Sequence, residues 1–345
     1  MKVYRSRQIT AVAVLYCAAL VPVTVVAAPP ATIEINGDDL AAGQLYLNLG
    51  FNVKTGPLRE GVTRVSAIPA APTIPAVTFG FYPADLQNPQ NNPTLQKFTS
   101  HNIFVNPLNP ASGVYAQSAG GPTLSDADTF LGKLYSSNMF HILDQYTAGL
   151  AATVGQGAAL NYNVYRQTLG DADLAVLVHA SARTFGAGYG QIHHLFFSQG
   201  TDVCTQFGAS GSSVECYSPD NPATWYFCGF HGSMKFADLG VVIFSVEPYT
   251  NVSGCRVPTS PAGASPNGPA IDSMASVLSH ETFEAITDPD QNLNAWYNRR
   301  GAFAGNEIGD ECAFVFALPA VSLNGTSYQI QSEYSNTLHG CTWVP

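Results

Sequence analysis

The sequence predicts an α/β or α+β protein: a mixed central sheet with flanking helices, preceded by a small β- and coil-rich N-terminal region. Three observations predict it. Apolar runs of strand length occur at 191–198 and 239–246, each able to lie buried in a sheet. Stretches of helical period, 126–146 and 271–286, alternate with them. Upstream of residue 121, closely spaced prolines from Pro69 to Pro110 exclude long helices.

At the N-terminus, Lys2, Arg5 and Arg7 precede an apolar run at 9–26 and the small residues Ala27 and Ala28. This order predicts a secretory signal, residues 1–28, removed on export to a periplasmic or extracellular destination. Gln8, Thr10, Pro22 and Thr24 interrupt the run, which argues against a retained anchor, and no later segment has the length and hydropathy of a membrane span. Residues 29–120 form a Pro-, Ala- and Asn-rich region, either a prodomain or an addition to the main body, with short strands expected at 46–53 and 77–82. The texture changes at Gly120-Gly121-Pro122, where a boundary opens the main domain, 121–345. Within it, 126–146 fits one or two helices, and 174–181 fits the start of a helix or a buried strand.

The formal charge is −10, only 11% of residues are charged, and no Lys/Arg cluster occurs, which excludes a phosphate-backbone partner such as nucleic acid. A hydrophobic content of 46% suffices for a large core. Of seven cysteines, Cys17 lies in the signal, leaving Cys204, Cys216, Cys228, Cys255, Cys312 and Cys341. An even number, an oxidising destination and the lack of any C-x-x-C pair predict disulfides. Proximity alone favours sequential pairing, 204–216, 228–255 and 312–341.

The chemistry concentrates on His280-Glu281-Thr282-Phe283-Glu284. The segment 271–286 lacks Gly and Pro, follows Pro269 and is stopped by Pro289, so it predicts a helix of about four turns. Ile271, Met274, Leu278 and Ala285 mark its apolar stripe. His280 and Glu284, four apart, project from one face, where an imidazole nitrogen and a carboxylate oxygen can share a cation, with Glu281 beside it. This arrangement resembles that of the H-E-x-x-H zinc peptidases, a zincin-like helix in which Glu polarises the metal-bound water, except that Glu284 stands where the second His would be. Asn306-Glu307-Ile308-Gly309-Asp310 supplies the third ligand. Glu307 is the first choice, with Asp310 orienting His280 as in thermolysin-like peptidases, and Asp310 as the ligand itself is the alternative. One His with two carboxylates suits a single divalent ion, Zn first, with Ca or Mn as alternatives. The plainer alternative is an exposed helix with an ordinary His–Glu pair.

Further candidates surround it. His231, in Phe227-Cys228-Gly229-Phe230-His231-Gly232-Ser233 beside an expected disulfide and a Gly, is an additional ligand, a donor to a developing oxyanion, or a loop histidine. His194, by strand alternation, shares a face with Phe196 and is expected in the core, with a site role as the alternative. Asp288 either caps the helix or binds a cation, and Trp296 and Tyr297 line a cleft or pack beneath a loop. His101, His141, His179 and His339 fall in no constellation.

The segments 130–146, 191–204, 227–233, 279–289, 294–298, 306–312 and 328–336 together resemble a bacterial relative of the Exordium (phosphate-induced) family, over roughly the last 220 residues of the chain. The resemblance implies export and a C-terminal domain beginning near residue 121. Plant members resemble secreted, cell-wall-associated growth proteins without the His–Glu pair, whereas bacterial relatives commonly keep it, so the fold alone does not imply chemistry. The leading expectation is a secreted metal-dependent hydrolase, a zinc peptidase by preference, acting on a peptide or cell-wall substrate: Glu281 activates water, His231 assists, and His280, Glu284 and Glu307 hold the ion. The alternatives are a non-enzymatic extracellular binding protein with a structural cation and an enzyme acting on wall polysaccharides.

Overall fold

The computed structural model describes residues 30–49, 62–64, 85–105, 121–162, 168–207, 213–261, 264–290, 293–300, 303–317 and 320–345. The signal segment and the strand expected at 77–82 lie outside them.

The core is an eight-stranded mixed sheet flanked by helices, as the apolar runs predict. Its strands are β1 (Ala31–Glu34), β2 (Val62–Arg64), β3 (Lys97–Val105), β4 (Ala151–Val154), β5 (Ala158–Asn161), β7 (Gln191–Phe197), β10 (Phe227–Phe236) and β11 (Gly240–Glu247), in the order β1-β5-β3-β7-β11-β10-β2, with β4 beside β3. β1, β5, β3, β7 and β11 run parallel, while β10 pairs antiparallel with β11 and with β2. A smaller sheet of β6 (Thr168–Leu169), β8 (Asp202–Phe207) and β9 (Ser213–Tyr217) lies beside it. Two short hairpins, β12 (Val321–Leu323) with β13 (Thr326–Tyr328) and β14 (Glu333–Ser335) with β15 (Gly340–Thr342), complete the C-terminal segment.

Strands from both sides of the boundary expected at 120/121 share this sheet. β3 lies between β5 and β7, so the described parts of 29–120 belong to the same core as the C-terminal region. Residues 46–49, expected as the start of a strand, instead end helix α1 (Gly37–Leu49). The Asn36 side chain accepts from the amides of Asp38 and Asp39 at 2.9 and 3.1 Å, and this cap starts a helix that runs on through 46–49.

Helices cover both faces. On one, α1 packs against α3 (Asp171–Phe185), the segment expected to begin near 174. Gly43 permits the approach, since a Cβ there would stand 2.6 Å from Val176. Beneath them Ile103, Leu195, Phe197, Val242 and Phe244 form one apolar layer. On the other face lie α2 (Leu124–Tyr135), capped by a reciprocal Thr123–Asp126 pair, and α4 (Pro269–Thr287), over Phe98, Phe104, Ile192, Phe196 and Ile243. The expected helical stretch 126–146 is thus α2 followed by a 3-10 turn, Asn138–Gln145.

On that second face the apolar layer is crossed by a polar row. Asn102, His194, Ser245 and His231 stand side by side on β3, β7, β11 and β10, all buried. Disulfides join Cys204 to Cys216, Cys228 to Cys255 and Cys312 to Cys341, the sequential pairing. Among the described residues no helix is long and apolar enough to cross a membrane.

Candidate metal centre

Helix α4 starts at Pro269, whose fixed φ suits the first helical position, and ends where Asp288 precedes Pro289. Of the predicted stripe, Met274, Leu278 and Ala285 enter the core and Ile271 is half-buried. The opposite, polar face does not reach solvent: every residue from 272 to 287 is buried. The C-terminal segment covers it. Gln331 donates its amide to Ser276 Oγ at 3.2 Å, Ser279 Oγ lies 3.4 Å from Glu333, and the Asp310 amide donates to Glu284 Oε1 at 3.1 Å. An exposed helix with an ordinary ion pair is therefore excluded.

His280 Nε2 and Glu284 Oε1 are 3.0 Å apart, yet they are not aligned for a hydrogen bond, and His280 Nε2 has no hydrogen-bond partner. Asp310 Oδ1 stands 3.9 Å from the same nitrogen. His280, Glu284 and Asp310 offer donor atoms within 4.8 Å of one another, a grouping that can hold a metal ion. A second grouping on the same criterion contains His231, Glu281 and Glu284. His231 Nδ1 lies 3.5 Å from Glu284 Oε2 and 3.7 Å from Glu281 Oε2, while its Nε2 donates to the Asp288 carbonyl at 3.1 Å. That donation leaves Nδ1 facing the two carboxylates, protonated beside them and a lone-pair donor wherever a cation takes the place of that proton.

Asp310 thus takes the place beside His280 and Glu284 that the sequence first suggested for Glu307. Glu307, also buried, has its carboxylate 3.7 Å from His231 Nε2. The cause is local: the chain turns into a 3-10 helix at Asp310–Cys312, and the hydrogen bond from the Asp310 amide to Glu284 draws this end of the loop onto α4.

Two glycines make the approach possible. Gly309 has ordinary helical angles, so its role is space: a Cβ there would stand 2.6 Å from His280 Nδ1. At Gly229 a Cβ would stand 2.6 Å from Val277 and 3.1 Å from Glu281, so β10 can pass against α4 only without a side chain.

The electrostatics follow from burial among these groups. Burial pushes the Glu284 carboxyl up, but the His280 and His231 rings outweigh it and hold the group down near 2. Burial lowers His231, and the carboxylates of Glu281 and Glu284 more than reverse this, raising it to about 10. Burial and the neighbouring carboxylates raise Glu281, Glu247 and Glu333, with the histidines opposing.

Other expected residues stand elsewhere. His194 is buried one strand from His231, its Nδ1 2.7 Å from Ser245 Oγ and its Nε2 without a hydrogen-bond partner, and burial lowers it to about 3. It belongs to neither grouping. Asp288 closes the helix by accepting from the Ala295 amide at 2.7 Å, and its carbonyl accepts from His231 Nε2. Tyr297 is paired through its backbone with Gln87, and Trp296 packs on Tyr146 beneath the loop. Neither reaches the cluster as a ligand.

Sequence reasoning missed Glu247, Gln331 and Glu333. Glu247 ends an apolar strand on the inward face and accepts from Ser245 at 2.7 Å, and Glu333 is fully buried. An acidic residue at an inward strand position was the available signal.

No protein-family model matches the chain, and comparison with curated proteins and with solved structures gives no match.

Proposed function

We propose that this chain is an exported, metal-dependent hydrolase, with peptides the preferred substrate class and zinc the preferred ion. The observation that carries the reading is the convergence of His280 Nε2, Glu284 Oε1 and Asp310 Oδ1 from a helix and a loop, with the two closest atoms not aligned to each other. One imidazole nitrogen and two carboxylate oxygens that converge where water has little access suit a cation. When bound, the ion supplies a polarised water. Glu281, one residue from the ligand His280 and facing His231, takes and returns the proton of that water, and His231 Nδ1 steadies the same carboxylate.

Gln331 Nε2 lies 2.6 Å from His280 Nδ1 and donates to the Gly309 carbonyl at 3.1 Å. With an ion on Nε2, His280 would carry its proton on Nδ1, where Gln331 is the side chain that orients the ring. The three disulfides accord with export, and the Exordium resemblance accords with a cell-wall setting.

Glu281→Gln tests the mechanism. Hydrolysis of a generic peptide library should fall by at least about 100-fold, as for loss of a general base, while the His280-held ion stays bound. Equal cleavage by this variant rules the mechanism out. A second reading, a binding protein with a structural cation, is favoured by one observation: the donors are enclosed, and even the Asp310 side chain is only 5% exposed.

A further inference from the structure

The two donor groupings share one residue, and they share it in a particular way. Glu284 turns Oε1 toward His280 and Oε2 toward His231, at 3.0 and 3.5 Å. Oε1 also accepts the Asp310 amide, which fixes the plane of the carboxylate. Oε2 is fully buried and stands 3.5 Å from His231 Nδ1, longer than a good hydrogen bond. A buried carboxylate oxygen left in this condition is costly, and a cation between Oε2 and His231 Nδ1 removes the cost.

The second position is built as fully as the first. His231 is held on β10 between paired strands, and its Nε2–H is committed to the Asp288 carbonyl, so a cation that displaces the Nδ1 proton meets a lone pair already aimed at Glu281 and Glu284. Glu281 is pressed against the β10 backbone at Gly229, which keeps its carboxylate near His231. Each grouping offers one imidazole and two carboxylates, a donor set suited to a divalent first-row ion with water completing the shell.

We propose that Glu284 bridges two divalent cations, one held with His280 and Asp310, the other with His231 and Glu281. The inference rests on the metal-dependent reading above and extends it. Paired ions at about 3.5–4 Å hold a water between them and stabilise both the attacking and the leaving oxygen in a hydrolysis. Glu281 would then hold the second ion through one carboxylate oxygen and leave the other for the proton of that water.

Metal stoichiometry tests it. The full chain is stripped with a chelator, reloaded with Zn2+ or Mn2+ and assayed by elemental mass spectrometry and calorimetric titration, with thermal unfolding confirming that each variant is folded. Wild type should bind about two equivalents, in the manner of a two-metal hydrolytic site, and the near-isosteric His231→Asn and Glu281→Gln about one each. His280→Asn should also retain one, and Glu284→Ala should lose both. The Mn2+ form should give a spin-coupled paramagnetic resonance signal that His231→Asn abolishes. A single equivalent in wild type overturns the two-ion proposal, whether or not His231→Asn retains it, and leaves the one-ion reading standing. No bound metal in folded wild type overturns both.

Discussion

At the scale of single residues, the centre depends as much on missing side chains as on donors. Gly309 needs no unusual backbone angles, so Gly309→Ala leaves the loop free to fold, but the methyl must displace the His280 ring from 2.6 Å. We predict that this variant unfolds cooperatively and binds Zn2+ about 10- to 100-fold more weakly, the usual effect of disturbing a ligand's support, as read by calorimetric titration. Affinity equal to wild type would show that the ring is not held there as described. His280, Glu281 and Glu284 were legible in the sequence because a four-residue spacing has one meaning on a helix. Gln331 and Glu333 were not, since short strands far along the chain give no periodic signal that they fold back over that helix.

Among the elements, α4 carries the argument. Its existence and ends were readable from Pro269, Pro289 and the lack of breakers between. Its burial on the polar side was not, because that depends on the loop at 306–312 and on β14, tied down by the Cys312–Cys341 bridge. A comparable anchor holds α1. Asp39, fully buried, accepts from Arg183 at 2.9 Å and lies 2.7 Å from His179, and though burial raises its carboxyl, these partners outweigh it and leave the group below its ordinary value. A carboxylate with a depressed folded-state pKa stabilises the fold above its unfolded value near 3.9, and this stability is lost as pH falls through the folded value. Asp39→Asn should therefore cost about 2 kcal/mol at pH 7 through weakened hydrogen bonds to charged groups. In Tm measurements against pH, the gap from wild type should close as pH falls below about 4. A gap that stays constant down to acid pH would mean that the ionised carboxylate is not what anchors α1. The helical fate of 46–49 escaped the sequence reading because the cap at Asn36 lies ten residues upstream and outranks local strand propensity.

Across the whole molecule, one sheet joins both halves of the chain. The polar row Asn102–His194–Ser245–His231 runs through its apolar face to end beneath α4, and Glu247 at the end of β11 extends the same network toward Glu281. The α/β class was legible from alternating strand and helix runs. The expected division near residue 120 was suggested by a change of composition, but strand pairing does not follow it, because β3 enters the sheet from the proline-rich side. A protein core that buries Glu247, Glu281, Glu284, Glu307 and Glu333 around His231 and His280 suits the cation proposed above. Elemental analysis of the purified chain and of His280→Ala tests this most directly. Bound divalent metal is expected in wild type and at least one equivalent less in the variant, and metal-free protein in both would contradict a metal centre on this helix.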